Sequence, residues 1–222
     1  MELLSQIQKK ILEIFTTIPE QNNFYLTGGT ALSVFYLKHR RSNDLDFFTK
    51  LEDIITPFSY HLEEKLKNEK MIVQKHRMIS SFLEYFLEKE SETLIIHLAQ
   101  DSPLRFEEPK IFKEFPKLNV DSLIDIASNK LLALFGRATL RDFIDIFFLI
   151  KKGEFTPEKL MNDAKIKDPG FDLYWLGITL ERINVFKENS PEMSFLLEPL
   201  NFMELQNFFN NWRKNITRQI IS

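Results

Sequence analysis

Between Tyr25 and Phe48 the chain strings together a short β-prone run, a glycine pair, a helical stretch and a second strand carrying two aspartates. No other stretch restricts the fold as tightly. Phe24-Tyr25-Leu26 favours a strand that stops at Gly28-Gly29, and Thr30 is placed to cap a helix running to about Lys38. Glycines let the backbone turn sharply and let a ligand approach the amides. A helix N-terminus adds unpaired N–H groups and partial positive charge. Gly-Gly-Thr by itself reads more readily as a plain tight turn than as a phosphate cradle.

The second strand, Asp44-Leu45-Asp46-Phe47-Phe48, alternates polar with apolar. Residues two apart on a strand share a face, so Asp44 and Asp46 point one way while Leu45 and Phe47 point into a core. The two Cα atoms are then roughly 6.6 Å apart, at about 3.3 Å per residue. Rotation of the side chains can bring oxygens to about 2.1 Å from one magnesium ion. Without a cation, two carboxylates at about 5 Å repel by roughly 3 kcal/mol at an effective dielectric of about 20. Alone, the pair could also be a solvated edge. The glycine turn and the acid pair so close together suit nucleotidyl transfer: the turn holds the β- and γ-phosphates, and magnesium or manganese on Asp44 and Asp46 neutralises charge during in-line attack on the α-phosphorus.

The rest of the pattern predicts a fold of the α/β (α+β) class. Residues 3–16 are spaced as an amphipathic helix, 57–69 as another, and 71–76, 80–87 and 93–99 as strands. The proline-bearing stretch 101–118 reads as an irregular connection. Helices are expected at about 121–135, 139–151, 157–165, 171–187 and 202–220. That change of pattern predicts a catalytic domain with a mixed sheet flanked by helices over 1–118 and a helical bundle over 119–222. Trp175, Trp212 and most of the 22 phenylalanines read as core. With no cysteine, disulfides and thiolate metal sites are excluded, and a net charge of -3 leaves any nucleic-acid contact to a local patch. The N-terminal residues form no uninterrupted apolar run and no stretch is apolar over the roughly 18 residues a bilayer needs, so a cytoplasmic protein without a signal peptide or membrane association is expected.

Residues 26–48, LTGGTALSVFYLKHRRSNDLDFF, closely resemble the nucleotidyltransferases of the AbiEii/AbiGii toxin family, within the polymerase-β-like superfamily. A second similarity lies in Asp121-Ser122-Leu123-Ile124-Asp125-Ile126, Lys130, and Arg141-Asp142-Phe143-Ile144-Asp145. The resemblance covers about residues 3–152. It implies transfer of a nucleotide from an NTP, often to tRNA, by toxins of toxin–antitoxin pairs that also act in phage defence. Carried over, it puts Gly28, Gly29 and Thr30 on the glycine turn, Asp44 and Asp46 on the metal pair, and Lys130 and Asp142 on the downstream lysine and acid. Arg41 and Ser42, just before the acid pair, join the nucleotide-binding set. The expected partners are an NTP, an RNA acceptor and an antitoxin.

The resembled superfamily usually places a third carboxylate on a later strand, where this chain has His97, with Asp101 just beyond. That leaves room for another base, for a degenerate nucleotide- or RNA-binding module, or for a partner-binding protein on the same fold. Lys38-His39-Arg40-Arg41 reads either as a phosphate clamp, with Arg41 the better candidate, or as a solvated helix end. Lys130 is expected to bind a phosphate, and Arg141–Asp145 could form a surface ion pair one turn apart. His39, His61, His76 and His97 have no metal-site spacing and read as structural.

Overall fold

The computed structural model describes residues 3–221, and the chain divides into two compact units after Leu123. In the first, helix α1 (Gln6–Phe15) leads to strand β1 (Phe24–Thr27), the short helix α2 (Gly28–Ala31), strand β2 (Asp44–Thr49) and helix α3 (Ile55–Asn68). Strands β3 (Ile72–Ile79), β4 (Phe82–Lys89), β5 (Glu92–Gln100), β6 (Lys110–Phe112) and β7 (Phe115–Val120) follow. They form one mixed sheet in the order β3-β4-β5-β2-β1-β7-β6, with β2/β5 and β1/β7 parallel.

One face of the sheet makes the core. Leu26, Leu45, Phe47, Leu83, Leu87, Ile96 and Leu98 are fully buried there, against α1 and α3. Phe15 of α1 stacks on Phe47 at 3.8 Å between ring centroids, and Phe24 and Phe58 complete the cluster. Such aromatic pairs add about 0.5–1.5 kcal/mol each beyond their buried area. Helix α1 starts at a capping box, with Ser5 and Gln8 each accepting from the other's backbone N–H. The same Gln8 side chain donates to the Ser42 carbonyl at 2.7 Å, fixing the backbone that enters β2.

The other face carries the polar residues of the same strands. The register sets Thr27, Asp46, His97 and Glu84 side by side across β1, β2, β5 and β4, with Tyr25, Phe48, Ala99 and Phe82 in the next row. The alternation expected for β2 is present: its aspartates are half-buried and Leu45 and Phe47 fully buried.

Several sequence expectations need correction. Stretch 101–118 is not wholly irregular, because β6 and most of β7 lie within it. Pro116 hid them, and it falls where the β6/β7 register shifts, a position at which a missing N–H breaks no ladder. Thr30 is not a cap. The helix starts at Gly28, and the Thr30 hydroxyl instead donates to the Asp44 carbonyl. From Leu32 to Leu37 that helix widens into a π-helix and ends at Lys38 in the left-handed region.

The second unit is helical: α4 (Leu123–Arg137), α5 (Leu140–Lys151), α6 (Pro157–Lys167), α7 (Leu173–Glu181) and α8 (Phe202–Ile221). The helix expected over 171–187 is shorter, capped by Asp172 and running out into a 3-10 turn at Arg182–Val185. Trp212 is core, stacked near Phe209, whereas Trp175 points outward at 58% exposure. Among the described residues no helix is long and apolar enough to cross a membrane.

Candidate active site

The glycine pair earns its composition by close approach. Gly28 sits at φ 70°, a left-handed conformation, and a side chain there would collide with the Asp46 carboxylate. Gly29 has an ordinary backbone, but a Cβ would come within 2.7 Å of Ser42 Oγ and 2.8 Å of Arg40 Nη2. The pairing of Thr27 with Asp46 brings the turn and the acid pair together: β1 delivers the glycines beside the strand that delivers the aspartates.

Asp44 and Asp46 both project from the open face of β2. One Asp46 oxygen lies against Gly28, and the other is 2.7 Å from His97 Nδ1. The second His97 nitrogen, Nε2, is 3.1 Å from Glu84 Oε2. Burial alone would lower the His97 pKa, but hydrogen bonds to Asp46 and Glu84 and the charge of Asp44 outweigh it, and the pKa is raised. An imidazole facing carboxylates at both nitrogens is fully satisfied as a cation donating both ways. His97 stands in the same cross-strand row as Asp46.

Among the described residues no three or more carboxylate, imidazole or thiolate groups gather as a complete metal cage. The donor set still fits a hard divalent cation. Two carboxylates share one face, one Asp46 oxygen lies apart from His97, and a triphosphate brings further oxygens of its own.

Asp101, the alternative third acid, lies elsewhere. It accepts from Tyr25 OH, and its backbone continues past the Gln100/Thr49 pair, four residues beyond the His97 row. There it belongs to a buried network. Arg105 lies over the Tyr25 ring at 4.0 Å and donates to Asp121 Oδ1 at 2.6 Å, while Thr27 Oγ1 donates to Asp121 Oδ2 at 2.7 Å and Tyr36 OH to the Asp121 carbonyl. Burial and the neighbouring Asp101 push the Tyr25 pKa up, and burial and Asp121 do the same for Tyr36. Asp121 thus clasps the strand that precedes the glycines and the helix that follows them.

Of the four residues Lys38 to Arg41, it is Arg40 that packs against the glycine turn. Its side chain is buried and donates to the Arg41 carbonyl, whereas Arg41 itself is exposed. Ser42 is buried beside Gly29.

Lys130 and Asp142 belong to a cluster in the second unit. Lys130 is 7% exposed and its Nζ is 2.7 Å from Oδ2 of fully buried Asp145. Asp142 accepts from Arg137 through both oxygens, at 2.8 Å each, and from Thr139 Oγ1 at 2.6 Å. Burial alone would raise the Asp142 pKa; the Arg137 and Thr139 hydrogen bonds and the Lys130 charge bring it below the usual range. The helix breaks at Ala138, in the left-handed region, so α4 and α5 are separate helices and Asp145 meets Lys130 from a different one.

Strand order, glycine turn and acid pair define a chain with a nucleotidyltransferase fold. Two solved structures share it. One is a crystal structure described as that of a candidate nucleotidyltransferase from H. pylori, 19% identical, covering 97% of this chain and 97% of that one, with a TM-score of 0.63. The other is JHP933 from Helicobacter pylori, 19% identical, covering 97% and 96%, with a TM-score of 0.60. At that identity they speak for the fold alone. The chain itself belongs to the nucleotidyl transferase AbiEii toxin family of type IV toxin–antitoxin systems, whose family model matches residues 10–220, and it is a nucleotidyltransferase. A relative in Aquifex aeolicus (strain VF5), described as uncharacterized protein aq_aa25, is 30% identical over 216 residues, covering 94% of this chain and 95% of that protein.

Proposed function

We propose that this nucleotidyltransferase transfers a nucleotide from an NTP to RNA, with tRNA the first acceptor to test, in a reaction that depends on magnesium or manganese. The carrying observation is the juxtaposition of Gly28 with the carboxylate of Asp46 on the open sheet face. Asp44 and Asp46 would hold the cation. A divalent cation bound there neutralises charge on the triphosphate during transfer.

The remaining steps belong to the chain. Gly28 and Gly29 let phosphate oxygens approach the backbone, with Thr30, Ser42 and Arg41 completing the nucleotide-binding set. Buried Arg40 adds positive charge behind Gly29. An acceptor hydroxyl attacks the α-phosphorus in line; the new P–O bond forms as the bond to pyrophosphate breaks, and the hydroxyl proton passes to water. Lys130 and Asp142 enter this proposal by family resemblance. The toxin family supports a cognate antitoxin as a further partner.

One observation favours a second reading. His97 occupies the row where a third carboxylate would stand, bonded to both neighbouring acids. A protein so arranged could bind nucleotide without turnover. Incubation with each α-labelled NTP, magnesium and total RNA separates the two. Label entering RNA with wild type but not with Asp44→Asn supports transfer. NTP binding with no label in any acceptor selects the binding module.

A further inference from the structure

We propose that Glu84 is a positioning residue of the nucleotidyl-transfer site, orienting Asp46 through His97. The inference rests on the reading of Asp44 and Asp46 as the cation-holding pair.

The argument starts from strand register. Asp46, His97 and Glu84 are direct cross-strand partners on β2, β5 and β4. All three side chains therefore rise from the same open face, and their order along the row is carboxylate, imidazole, carboxylate. The ring bridges the outer two, at 2.7 Å to Asp46 Oδ1 and 3.1 Å to Glu84 Oε2. Each carboxylate meets a different nitrogen, so the ring has one orientation that satisfies both.

The rest of the ring's surroundings define its plane but not its direction. Phe82 stacks on it at 5.6 Å with 30° between planes, a contact that a ring turned over by half a rotation would keep. The two carboxylates distinguish the directions together, Asp46 at Nδ1 and Glu84 at Nε2. Without an acceptor at Nε2, the Asp46 bond alone opposes the turn that presents carbon where Nδ1 now faces Asp46 Oδ1.

Asp46 would feel that turn directly. One of its oxygens lies against Gly28 and the other is bonded to His97. Loss of the second contact leaves the carboxylate free to rotate about its own bond, and the oxygen offered to a cation moves with it. This is the logic by which hydrogen bonds behind a ligand tune a metal site. Glu84 also faces a second histidine. Its other oxygen, Oε1, is 3.7 Å from His76 Nδ1, and the His76 ring stacks on Phe86 at 5.7 Å with 2° between planes. A bulge between Lys75 and Arg77 brings His76 to that position. The chain of contacts runs from the sheet edge to the acid pair.

A purely structural Glu84 would be a partly exposed, weakly stabilising ion pair, with no bearing on ring direction or cation affinity. The experiment uses the full-length chain as wild type, Glu84→Met, Glu84→Ala, Glu84→Gln and Asp46→Asn. Nitrogen chemical shifts of the His97 ring are read by NMR without metal, and manganese affinity is read with a non-hydrolysable NTP analogue. Glu84→Met keeps the length and packing of the side chain, so a folded protein is available even if Glu84→Ala is not. The proposal predicts that Glu84→Met loses the hydrogen-bonded Nδ1 signal and weakens manganese binding about tenfold, and that Glu84→Gln, which keeps an acceptor oxygen, restores both. Wild-type ring signals in Glu84→Met overturn it. So does a changed ring with unchanged manganese affinity, which leaves the acid-pair reading standing. Manganese affinity that is absent in wild type, or unaltered by Asp46→Asn, overturns both readings together.

Discussion

Two gatherings of carboxylates, one in each unit, differ in what surrounds them. On the open face of the first unit, Asp44 and Asp46 are half-buried, and the basic group bonded to Asp46 is a histidine shared with Glu84. In the second unit, Asp142 and Asp145 are fully buried, and each is met by its own strong base, Arg137 and Lys130. A buried carboxylate needs a partner that never leaves, because desolvation makes the unpaired charge too costly. A half-exposed pair held beside a glycine turn can exchange its neutralising partner for one that arrives from solvent. The first arrangement is suited to binding, and the second fastens α4 to α5.

The largest expected effect follows from that contrast. Lys130→Ala breaks the buried Lys130–Asp145 ion pair and should lower the unfolding free energy by up to about 3–5 kcal/mol, read by denaturant titration. A solvated surface lysine would lose little on this change; burial of the pair makes the cost larger. A double variant, Lys130→Met with Asp145→Leu, removes both charges together and should recover most of the loss. Its transfer activity then sharpens the comparison. Activity still at least about tenfold down, roughly 1.4 kcal/mol, assigns Lys130 a role toward the triphosphate. Restored activity makes the pair a fastening alone.

The glycines come next. Gly28→Ala places an L-residue in the left-handed region, at about 1–2 kcal/mol, and drives its Cβ into the Asp46 carboxylate. Nucleotide affinity should fall with stability. Gly29→Ala crowds the buried Ser42 and Arg40 side chains but keeps an ordinary backbone conformation, so the loss of stability should be smaller. Equal thermal shifts in the two variants would break the distinction between a strained turn and a crowded one.

The smallest effect is on pH dependence. The folded pKa of Asp142 is depressed, so its contribution to stability is present above the ordinary carboxylate pKa and is lost as pH falls through the lower folded value. Thermal unfolding of wild type and Asp142→Asn should therefore converge toward acid pH and separate at neutral pH. A constant gap down to acid pH would contradict the assignment.

What could be read from sequence was what depends on neighbours in the chain. Alternation at Asp44–Phe48 and the glycines after β1 are local signals, and both survive in the structure. What could not be read depends on pairing at a distance. Glu84 meets His97 because β4 returns antiparallel beside β5, and His97 meets Asp46 because β5 runs parallel to β2, 51 residues away. Four histidines without metal spacing gave no hint of this. Arg40 and Arg41 differ only in which one the chain turns inward after Lys38. Asp145 reads as a partner for Arg141 one turn away, and only the break at Ala138, which makes α4 and α5 separate helices, shows that Lys130 reaches it from the other helix.

The central claim is that Asp44 and Asp46, beside the glycine turn, hold a divalent cation together with nucleotide. Manganese binding followed by electron paramagnetic resonance, with and without a non-hydrolysable NTP analogue, tests it most directly. The account predicts strong binding only when nucleotide is present, and its loss in Asp44→Asn/Asp46→Asn while the protein remains folded. Nucleotide-dependent manganese binding of wild-type strength in that double variant would contradict it.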